Sequence, residues 1–312
     1  MLVFLARRLL AGVLTLFAIS TLSFFIVRFA PGSPFSSERG TNAEVRRNEE
    51  RLYGYDRPLP EQYARNILGY LCGNLGPSTS HRGRDVAELI LPSFGVSVKL
   101  GAVSFVLALA SGLLLGILAS ARQNAWPDHV ASSVATLGIC LPNFLLGPLL
   151  VMVFFTWLGW LEPTGWPQGW TSWTELKKVL LPAVTLSCVH MAYISRLGRA
   201  GMLDVLHKDF IRTARAKGVA EPALLLKHAL KNGITPVLTY TGPMAAYLVT
   251  GSIVVEKIFA IPGMGTHFIA SAINRDYGII MGCVLVYSTL VILFNLAVDL
   301  LYAVMDPRVR VT

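Results

Sequence analysis

Long apolar stretches separated by shorter polar segments dominate this sequence. Most of the stretches have about the 20 residues that a helix needs to cross a bilayer. The pattern predicts an all-α, polytopic membrane protein with six transmembrane helices. The predicted spans are Leu9 to Val27, Phe94 to Leu118, Ala131 to Leu158, Leu180 to Ile194, Ile234 to Val255 and Gly282 to Val304.

The polar segment between the first two spans carries two helical patterns. "NAEVRRNEERLYG" has Asn42 as a helix cap, and "LPEQYARNILGYL" has Pro60 in a position that suits a first helical turn. We expect two short amphipathic helices here. They either cover the membrane face or contact a soluble partner.

Helix-breaking prolines occur in several predicted spans. They either produce ordinary kinks or indicate helices packed around a water-lined cavity, because a freed backbone carbonyl in lipid needs an internal partner. The prolines are Pro142, Pro148, Pro182, Pro236 and Pro243.

Composition supports the membrane assignment. The 312 residues are 54% hydrophobic and 14% charged, whereas soluble domains have about 25% charged residues. The net charge of +9 could indicate nucleic-acid binding, but the bias of cytoplasmic loops toward Lys and Arg explains most of it. We therefore expect no nucleic-acid partner.

Positive residues in short loops predict the orientation. Arg7 and Arg8 precede the first span, Arg122 follows the second, and the loop between the fourth and fifth spans is rich in Lys and Arg. Cytoplasmic loops carry this excess. The sequence thus predicts a multi-pass protein with both termini cytoplasmic and residues 31–93 outside.

Aromatic and ionisable side chains near the membrane have mostly local explanations. Five of the six tryptophans lie between residues 157 and 173, where their rings suit the headgroup level. Lys99, Glu256 and Asp299 lie near span ends, where snorkelling or local pairing suffices. His190 lies deeper, and either a helix-packing hydrogen bond or a substrate contact would explain it.

The chain lacks recognisable catalytic chemistry. It contains no GxxxxGK[ST], HExxH, GxSxG or CxxC motif, and its histidines lack metal-ligand spacing. Three cysteines lie within spans and Cys72 stands alone, which implies neither a disulfide nor a metal framework. The chain is not expected to be an enzyme. If ATP drives its function, another subunit must bind the ATP.

The loop between the fourth and fifth spans predicts two helices. The first runs from Met202 to Lys217 and ends at Gly218, and the second runs from about Pro222 to Asn232. Leu224 to Leu226 would form an exposed apolar ridge beside the cationic edge of the second helix. Such a ridge requires a partner groove.

This loop resembles the coupling loop of binding-protein-dependent ABC importer permeases, whose signature is EAA, three residues and Gly. In "RTARAKG", Ala214 and Gly218 keep the Ala-x-x-x-Gly core, while Thr213 replaces the first Ala and Arg212 occupies the Glu position. The "LP" that ends the general signature is absent, because Leu230 is followed by lysine. This version is similar to the dipeptide and oligopeptide branch of the family.

The resemblance extends along almost the whole chain, through "RFAPGSPF", "VSVKLGA", "LPAVTLS", "TGSIVVEKIFAIPGMG", "INRDY" and "VDLLYAVMDPRVR". It is strongest to B subunits of oligopeptide permeases. The resemblance implies the type I ABC importer transmembrane fold and a location in a bacterial cytoplasmic membrane. It further implies an N-terminal helix (1–30), an extracytoplasmic segment (31–93), a five-helix transmembrane domain (94–305) with a coupling loop at about 199–233, and a cytoplasmic tail (306–312).

The function that the resemblance implies is that of a permease subunit in an ATP-driven oligopeptide importer. Its expected partners are a homologous permease subunit, two ABC ATPase subunits that bind ATP and Mg²⁺, an extracytoplasmic peptide-binding protein, the peptide and the lipid bilayer. No cofactor or metal is expected in the chain itself. A dipeptide, glutathione, nickel or peptide-antibiotic cargo is the alternative within the family.

Two sets of site residues follow from the resemblance and the loop pattern. The expected ATPase-docking residues are Arg212, Thr213, Ala214, Ala216, Lys217, Gly218, Leu224, Leu225 and Lys227. The expected substrate-path or substrate-release residues are His190, Tyr240, Met244, Asn274, Arg275 and Asp276.

Two alternative hypotheses assign the chain to other functional classes. An ion-coupled secondary transporter would require an inverted repeat and a buried coupling-ion site. A non-transporting membrane anchor would explain the docking loop but not the proline-rich spans.

Overall fold

A computed structural model of the chain describes residues 2–31, 34–35, 43–161, 165–170 and 172–305. These residues form helices joined by short connections, and the described part contains one isolated β-bridge, between Pro77 and Asp85. The helices are α1 (Leu2–Phe29), α2 (Ala43–Leu52), α3 (Leu59–Leu71), α4 (Val86–Ala121), α5 (Trp126–Cys140), α6 (Asn143–Val151), α7 (Trp173–Leu206), α8 (Asp209–Ala216), α9 (Glu221–Ala223), α10 (Leu230–Gly233), α11 (Thr235–Thr250), α12 (Ile253–Ile258), α13 (Met264–Asn274) and α14 (Tyr277–Met305).

Five helical segments are long and apolar enough to cross a membrane. They are Leu5–Phe29, Val86–Ala121, Trp173–Leu206, Thr235–Ile258 and Tyr277–Leu300. Each contains or closely matches one of the predicted spans. The lengths of the apolar stretches therefore identified these five elements correctly.

The third predicted span differs from a single crossing helix. Helices α5 and α6 bend by 108° at Leu141 and Pro142, and α6 continues into a π-helical segment, Met152–Trp157. The described chain has six spans if this bent pair counts as one. Proline at position 142 causes the break, because it has no N–H for the helix ladder and holds the preceding residue extended. Leu141 is extended, with ψ 110.

The prolines in the other spans have milder effects. Pro182 and Pro243 lie inside continuous helices, and Pro236 lies in the first turn of α11. The two amphipathic helices predicted in the first polar segment are confirmed as α2 and α3, with Pro60 in the first turn of α3. The predicted cap, Asn42, lies outside the described residues.

The chain divides into two compact units, residues 1–97 with 262–312, and residues 98–261. In the first unit α14 packs along α1. A Cβ added to Gly12 would lie 2.8 Å from Ile292 Cγ2, and Arg8 forms an ion pair with Asp299 at 3.1 Å. This pair confirms the local pairing expected of Asp299. The core of this unit comprises Val86, Leu89, Ile90, Met264, Ile279 and Cys283.

The second unit is built around α7, whose neighbours approach at glycines. A Cβ on Gly112 would lie 2.7 Å from Met191 O, one on Gly138 3.1 Å from Cys188 O. A Cβ on Gly101 would lie 2.4 Å from Leu248 O of α11. Small residues at these positions allow the backbones to approach closely, as is common between membrane helices.

Ionisable groups of this unit are accommodated in two ways. Lys99 Nζ lies 5.8 Å from the centre of the Trp170 ring, a cation–π distance. Glu256 in α12 is fully buried. Snorkelling to the interface, one of the two explanations expected for Glu256, is therefore wrong.

Candidate functional site

The basic loop, residues 199–233, connects α7 to α11 through three short helices. The predicted single helix from Met202 to Lys217 is wrong. Helix α7 ends at Leu206, and α8 begins at Asp209, after Lys208 adopts an extended conformation with ψ 153. The Lys208 carbonyl accepts the N–H groups of Ile211 and Arg212, and the Asp209 carboxylate lies in the first turn of α8, where the helix dipole favours it.

Gly218 ends the first half of the loop as predicted. Its φ of +79 is in the left-handed region that favours glycine, and no atom lies within 4 Å of an added Cβ. The second predicted helix is present but irregular. It starts at Glu221 and Pro222, passes through a π-helical segment, Leu224–Ala229, and ends as α10 at Gly233.

The loop has its own apolar core, which joins its helices to the end of α7. The core consists of Met202, Val205, Ile211, Ala214, Leu224 and Ala229. Leu225 packs against this core from the side. The loop is therefore a folded element with internal packing.

This core corrects the prediction of an exposed ridge at Leu224 to Leu226. Leu224 is fully buried and Leu225 is half-buried, whereas Leu226 is 57% exposed. Consecutive residues on a helix point about 100° apart, so these three side chains cannot share one face, and only Leu226 faces outward. Phe210 in α8, which the sequence analysis did not select, is also exposed at 43%.

Of the other candidate docking residues, one is buried and six are exposed. Ala214 lies in the loop core, whereas Arg212, Thr213, Ala216, Lys217, Gly218 and Lys227 are exposed. Arg215 forms an ion pair with Glu221 across the turn, at 2.7 Å. The exposed face of the loop thus combines two apolar side chains, Phe210 and Leu226, with several lysines and arginines.

Two glycines attach the loop closely to α7. A Cβ on Gly201 of α7 would lie 2.1 Å from Gly233 O, and one on Gly233 would lie 2.9 Å from Gly201 O. No larger side chain fits at Gly201 unless the two backbones separate. The end of the loop and α7 are therefore held at contact distance.

Arg199 at the start of the loop forms a two-pronged ion pair with Asp128 near the start of α5. Arg199 Nε lies 2.7 Å from Asp128 Oδ1, and Nη2 lies 2.8 Å from Oδ2. The Asp128 side chain is 5% exposed and that of Arg199 31% exposed. Paired geometry of this kind is stronger than a single contact. Asp128 also accepts the N–H of Asn124 at 2.9 Å, so the carboxylate fixes the connection before α5 as well.

Candidate path residues His190 and Tyr240 are brought together on α7 and α11. His190 Nδ1 and the Tyr240 hydroxyl lie 2.7 Å apart. The Tyr247 and Tyr193 rings extend this cluster, at 5.1 Å from His190 and 5.7 Å from Tyr240. Tyr247 is 51% and Tyr193 43% exposed. Sequence analysis did not select Tyr193 and Tyr247; their spacings of three residues from His190 and seven from Tyr240, which place them on the same helix faces, are the signal that could have identified them.

Met244 does not share this exposure, since it is 1% exposed within the second unit. His190 is itself buried, at 8% exposed, and contacts the partly exposed tyrosines, while Met244 belongs to the packing of this unit.

Candidates Asn274, Arg275 and Asp276 form the turn between α13 and α14. Arg275 adopts a left-handed conformation with φ 55, and both it and Asn274 are exposed. Asp276 is fully buried and accepts hydrogen bonds from the Ser78 hydroxyl at 2.5 Å, from the Ser80 N–H at 2.9 Å and from the Ile279 N–H at 3.2 Å. Asp276 therefore anchors the turn.

The hydrogen bonds determine the charge state of Asp276. Burial acts to raise the pKa of its carboxyl, but the donors from Ser78, Ser80, Ile279 and Thr79 outweigh burial and hold the pKa below its ordinary value. The carboxylate is accordingly ionised at neutral pH, with its charge compensated by protein donors.

The helical architecture and the basic loop between α7 and α11 define a polytopic membrane protein with the transmembrane fold of ABC importers. Two solved structures share this fold. An inward-facing MetNI methionine ABC transporter matches with a TM-score of 0.58 at 16% identity, over 70% of this chain and 96% of that one. An amino acid ABC transporter matches with a TM-score of 0.52 at 16% identity, over 69% and 93%.

The chain belongs to the family of inner membrane components of binding-protein-dependent transport systems. The family model matches residues 112–311, and the model of the family's N-terminal region matches residues 1–111. The chain is 43% identical to the oligopeptide transport system permease protein OppB of Escherichia coli and 42% identical to that of Haemophilus influenzae, in both cases over 99% of this chain and 100% of the relative. It is 41% identical to the dipeptide transport system permease protein DppB of Bacillus subtilis, over 98% and 97%.

Proposed function

We propose that this chain is a permease subunit of an ATP-driven importer that moves oligopeptides across the cytoplasmic membrane. It forms the path with a homologous permease subunit, receives peptide from an extracytoplasmic binding protein, and is driven by two ABC ATPase subunits that bind ATP and Mg²⁺. Full-length similarity to the oligopeptide permeases supports this cargo.

The observation that carries the proposal is the construction of the basic loop. Its apolar core includes Met202 and Val205 of α7, and Gly201 contacts Gly233 at the loop's end. A displacement of the loop is therefore transmitted to α7 and, through Gly233, to the start of α11. A transport cycle driven by ATPase subunits requires such a connection, because each state must be favoured by different contacts.

The exposed face of the loop supplies a docking surface with two apolar anchors. Phe210 and Leu226 are exposed among lysines and arginines, on an element whose other apolar residues are buried. An apolar helix face in a partner groove is a common recognition mode. We place this face in the cytoplasm, against the ATPase subunits, because the short-loop cations are concentrated there.

The cluster of His190, Tyr193, Tyr240 and Tyr247 is our candidate for the peptide path. Polar side chains within membrane helices usually face a bundle interior or a water-filled cavity. Peptides differ in side chains but share a backbone, and tyrosine hydroxyls and an imidazole can bond to that backbone without selecting side chains. The binding protein then sets specificity.

Asn274 and Arg275 are our candidates for contacts during substrate release, since they are exposed in a turn of the segment that we place outside. Asp276 is buried and anchors this turn, so it is not among the proposed contact residues. Alanine at Asn274 and Arg275 together is expected to reduce peptide uptake or affinity for the binding protein. Unchanged values of both would remove this role.

The docking proposal is tested by substituting Leu226 with Glu. We expect the Leu226→Glu variant to lose co-purifying ATPase subunits and at least tenfold of peptide uptake in reconstituted vesicles. Leu52→Glu is the matched control, because Leu52 is also exposed, at 79%, but lies in α2. Normal assembly and uptake in the Leu226 variant, at equal expression, would contradict the docking surface.

The energy source separates the classes of transporter. We expect uptake to require ATP hydrolysis and to persist when ion gradients are dissipated. Uptake that follows an ion gradient without ATPase partners would instead indicate a secondary transporter. Absence of uptake despite a stable complex would indicate a membrane anchor.

A dipeptide cargo is the second candidate within the family, because the Bacillus subtilis dipeptide permease is almost as similar as the oligopeptide permeases. Competition between labelled peptides of increasing length distinguishes the two. Peptides of three to five residues are expected to outcompete dipeptides. The reverse order would identify a dipeptide importer.

A further inference from the structure

A small pocket beside the end of α1 is lined by the positively charged side chain of Arg28, which packs against aromatic rings. The guanidinium of Arg28 lies 3.8 Å from the centre of the Tyr55 ring, 5.6 Å from that of Phe24 and 6.0 Å from that of Tyr277. These contacts use the faces of the rings and leave the guanidinium N–H groups available. Within the described residues Arg28 has no carboxylate partner. The pocket has a volume of about 90 Å³.

The lining of this pocket is positively charged overall. Arg57 and Arg65 join Arg28 in it, and of the three only Arg57 pairs with a carboxylate in the described part of the chain, that of Glu61. The nearby carboxylate of Asp276 is already bonded to Ser78 and to backbone N–H groups. An anion is therefore the occupant that the charge favours.

Two side-chain oxygens in the lining lack hydrogen-bond partners in the described structure. They are Gln62 Oε1 and Thr79 Oγ1, both buried. The Gln62 side chain is 7% exposed, and its amide nitrogen already donates to the carbonyls of Tyr55 and Arg57. A buried acceptor without a donor is costly. An occupant with hydroxyl groups would supply a donor of this kind.

An apolar groove lies next to this pocket, along α1 and α14. Its volume is about 500 Å³, and Tyr70 and Leu75 line both the groove and the pocket. The groove is otherwise lined mainly by apolar side chains, among them Val13, Phe17, Phe94, Leu285 and Leu290. The two spaces are therefore adjacent, and a ligand with a compact anionic end and a long apolar end matches their combined lining.

The combined length of the pocket and the groove suits a phospholipid. On α1 the groove is lined from Val13 to Ser20, a rise of about 10 Å, and Arg28 in the pocket lies 15 residues beyond Val13, a rise of about 22 Å at about 1.5 Å per residue. One leaflet of the hydrocarbon core is about 15 Å thick, half of about 30 Å. The pocket and the groove together therefore cover the depth of one leaflet and its headgroup level.

We propose that the Arg28 pocket and this groove bind one anionic phospholipid, with its phosphate at Arg28, its hydroxylated headgroup towards Gln62, and one acyl chain between α1 and α14. Phosphatidylglycerol has this chemistry. A free phosphate would leave the groove empty, and a zwitterionic lipid would bring a further positive charge into a cationic pocket. The inference does not depend on which peptide the importer carries.

Burial of Tyr70 agrees with this arrangement. Burial raises the pKa of its hydroxyl to about 12, while the positive charge of Arg28 acts in the opposite direction. The hydroxyl therefore remains protonated at neutral pH and can donate to a phosphate oxygen. Because Tyr70 lines both spaces, its side chain marks the junction between headgroup and acyl chain.

Photo-crosslinking of the assembled transporter tests the site. The complex is placed in nanodiscs that contain phosphatidylglycerol with a diazirine in the acyl chain, and labelled peptides are mapped by mass spectrometry. We expect labelling of residues 67–75 or 285–290, at least about fivefold above that by the matching phosphatidylcholine probe, since one cation near a lipid surface contributes about 1 kcal/mol.

Variants separate the headgroup pocket from the groove. Arg28→Gln is expected to reduce phosphatidylglycerol labelling at least about fivefold, to the level of the phosphatidylcholine probe, while Arg28→Lys keeps most of it. Arg84→Gln, at an exposed arginine outside the pocket, is the control. Thr289→Trp fills the groove and is expected to abolish labelling, whereas Val291→Trp, on the same helix but outside the groove, retains it.

Several results would overturn the proposal. Equal labelling by the two probes, or full labelling of the Arg28→Gln variant, would remove the anionic headgroup. Loss of labelling on addition of inorganic phosphate would identify a site for a soluble anion. Absence of labelling in the wild-type complex would mean that a partner chain fills the groove. If Arg28→Gln prevents assembly, the comparison of Thr289→Trp with Val291→Trp still tests whether an acyl chain occupies the groove.

Discussion

Gly218 shows how one backbone angle determines the course of the basic loop. At φ +79 an L-residue costs about 1–2 kcal/mol, and no neighbour lies within 4 Å of an added Cβ. The penalty for a side chain here is therefore one of conformation, without steric overlap. A residue that tolerates the left-handed region is expected to be accepted better than a β-branched one.

We predict that Gly218→Asp and Gly218→Val leave the protein folded in the membrane but reduce peptide uptake, the first through an acidic charge at the docking face and the second through a redirected second helix. Gly218→Asn is the matched control, since Asn adopts the same conformation without charge. The measurements are co-purification of ATPase subunits and uptake, normalised to expression. Normal assembly with normal transport in the Asp variant would make the loop only a linker.

The lowered pKa of Asp276 predicts that the stability of the protein depends on pH. The folded-state pKa of this carboxyl is below the ordinary value, so its contribution to stability is present above the unfolded-state pKa and is lost as the pH falls through the folded-state pKa. We expect wild-type protein to lose thermal stability as the pH falls from about 5 towards 2, and Asp276→Asn to lose less over this interval. Unfolding temperatures in detergent provide the test. Equal slopes for the two proteins would contradict the assignment.

At the scale of elements, α7 connects the membrane to the basic loop. Its 34 residues span about 51 Å at a rise of about 1.5 Å per residue, which exceeds the roughly 30 Å of the hydrocarbon core. The helix therefore extends beyond the bilayer, and its final turns contribute Met202 and Val205 to the loop core. Asp128 of α5 holds the same region through Arg199.

The contact between α7 and α10 predicts different outcomes for two neighbouring glycines. Gly201→Ala places a Cβ 2.1 Å from Gly233 O and must separate the two helices, whereas the nearest atom to a Cβ on Gly198 is 3.8 Å away. We expect Gly201→Ala to increase amide hydrogen exchange in residues 209–233 and to weaken peptide-stimulated ATP hydrolysis. Gly198→Ala is expected to be neutral. Equal behaviour of the two variants would show that the contact does not couple loop and helix.

At the scale of the whole molecule, the orientation in the membrane is the feature most directly open to experiment. Native Cys72 is exposed in the first polar segment, which we place outside, and Lys217 is exposed in the basic loop, which we place inside. We predict that an impermeant maleimide reaches Cys72 from outside when the other cysteines are removed. The same reagent is expected to reach Lys217→Cys, in a cysteine-free background, only after the membrane is opened.

Labelling of position 217 from outside in intact cells would reverse the predicted orientation. Failure to label Cys72 would contradict the outer location of the first polar segment. The two positions lie in different compact units, so each result is an independent measurement of topology.

Sequence alone determined five of the six spans, the first two amphipathic helices and the left-handed turn at Gly218. These features depend on local properties: apolar runs of membrane length, charge spacing along one helix, and a residue that tolerates positive φ. The resemblance carried by "RTARAKG" and the other motifs also identified the family, because such motifs are read directly along the chain.

Tertiary structure decided which side chains are available. Leu224 and Leu226 belong to the same apolar run, yet Leu224 is buried in the loop core with Ile211 and Met202, while Leu226 is exposed. Asp276 is adjacent in sequence to the exposed Arg275, but Ser78, 198 residues away, makes it a buried anchor. The pairing of Arg199 with Asp128 and the pocket around Arg28 likewise join distant segments. Burial and charge compensation depend on these long-range contacts, and a local sequence pattern does not contain them.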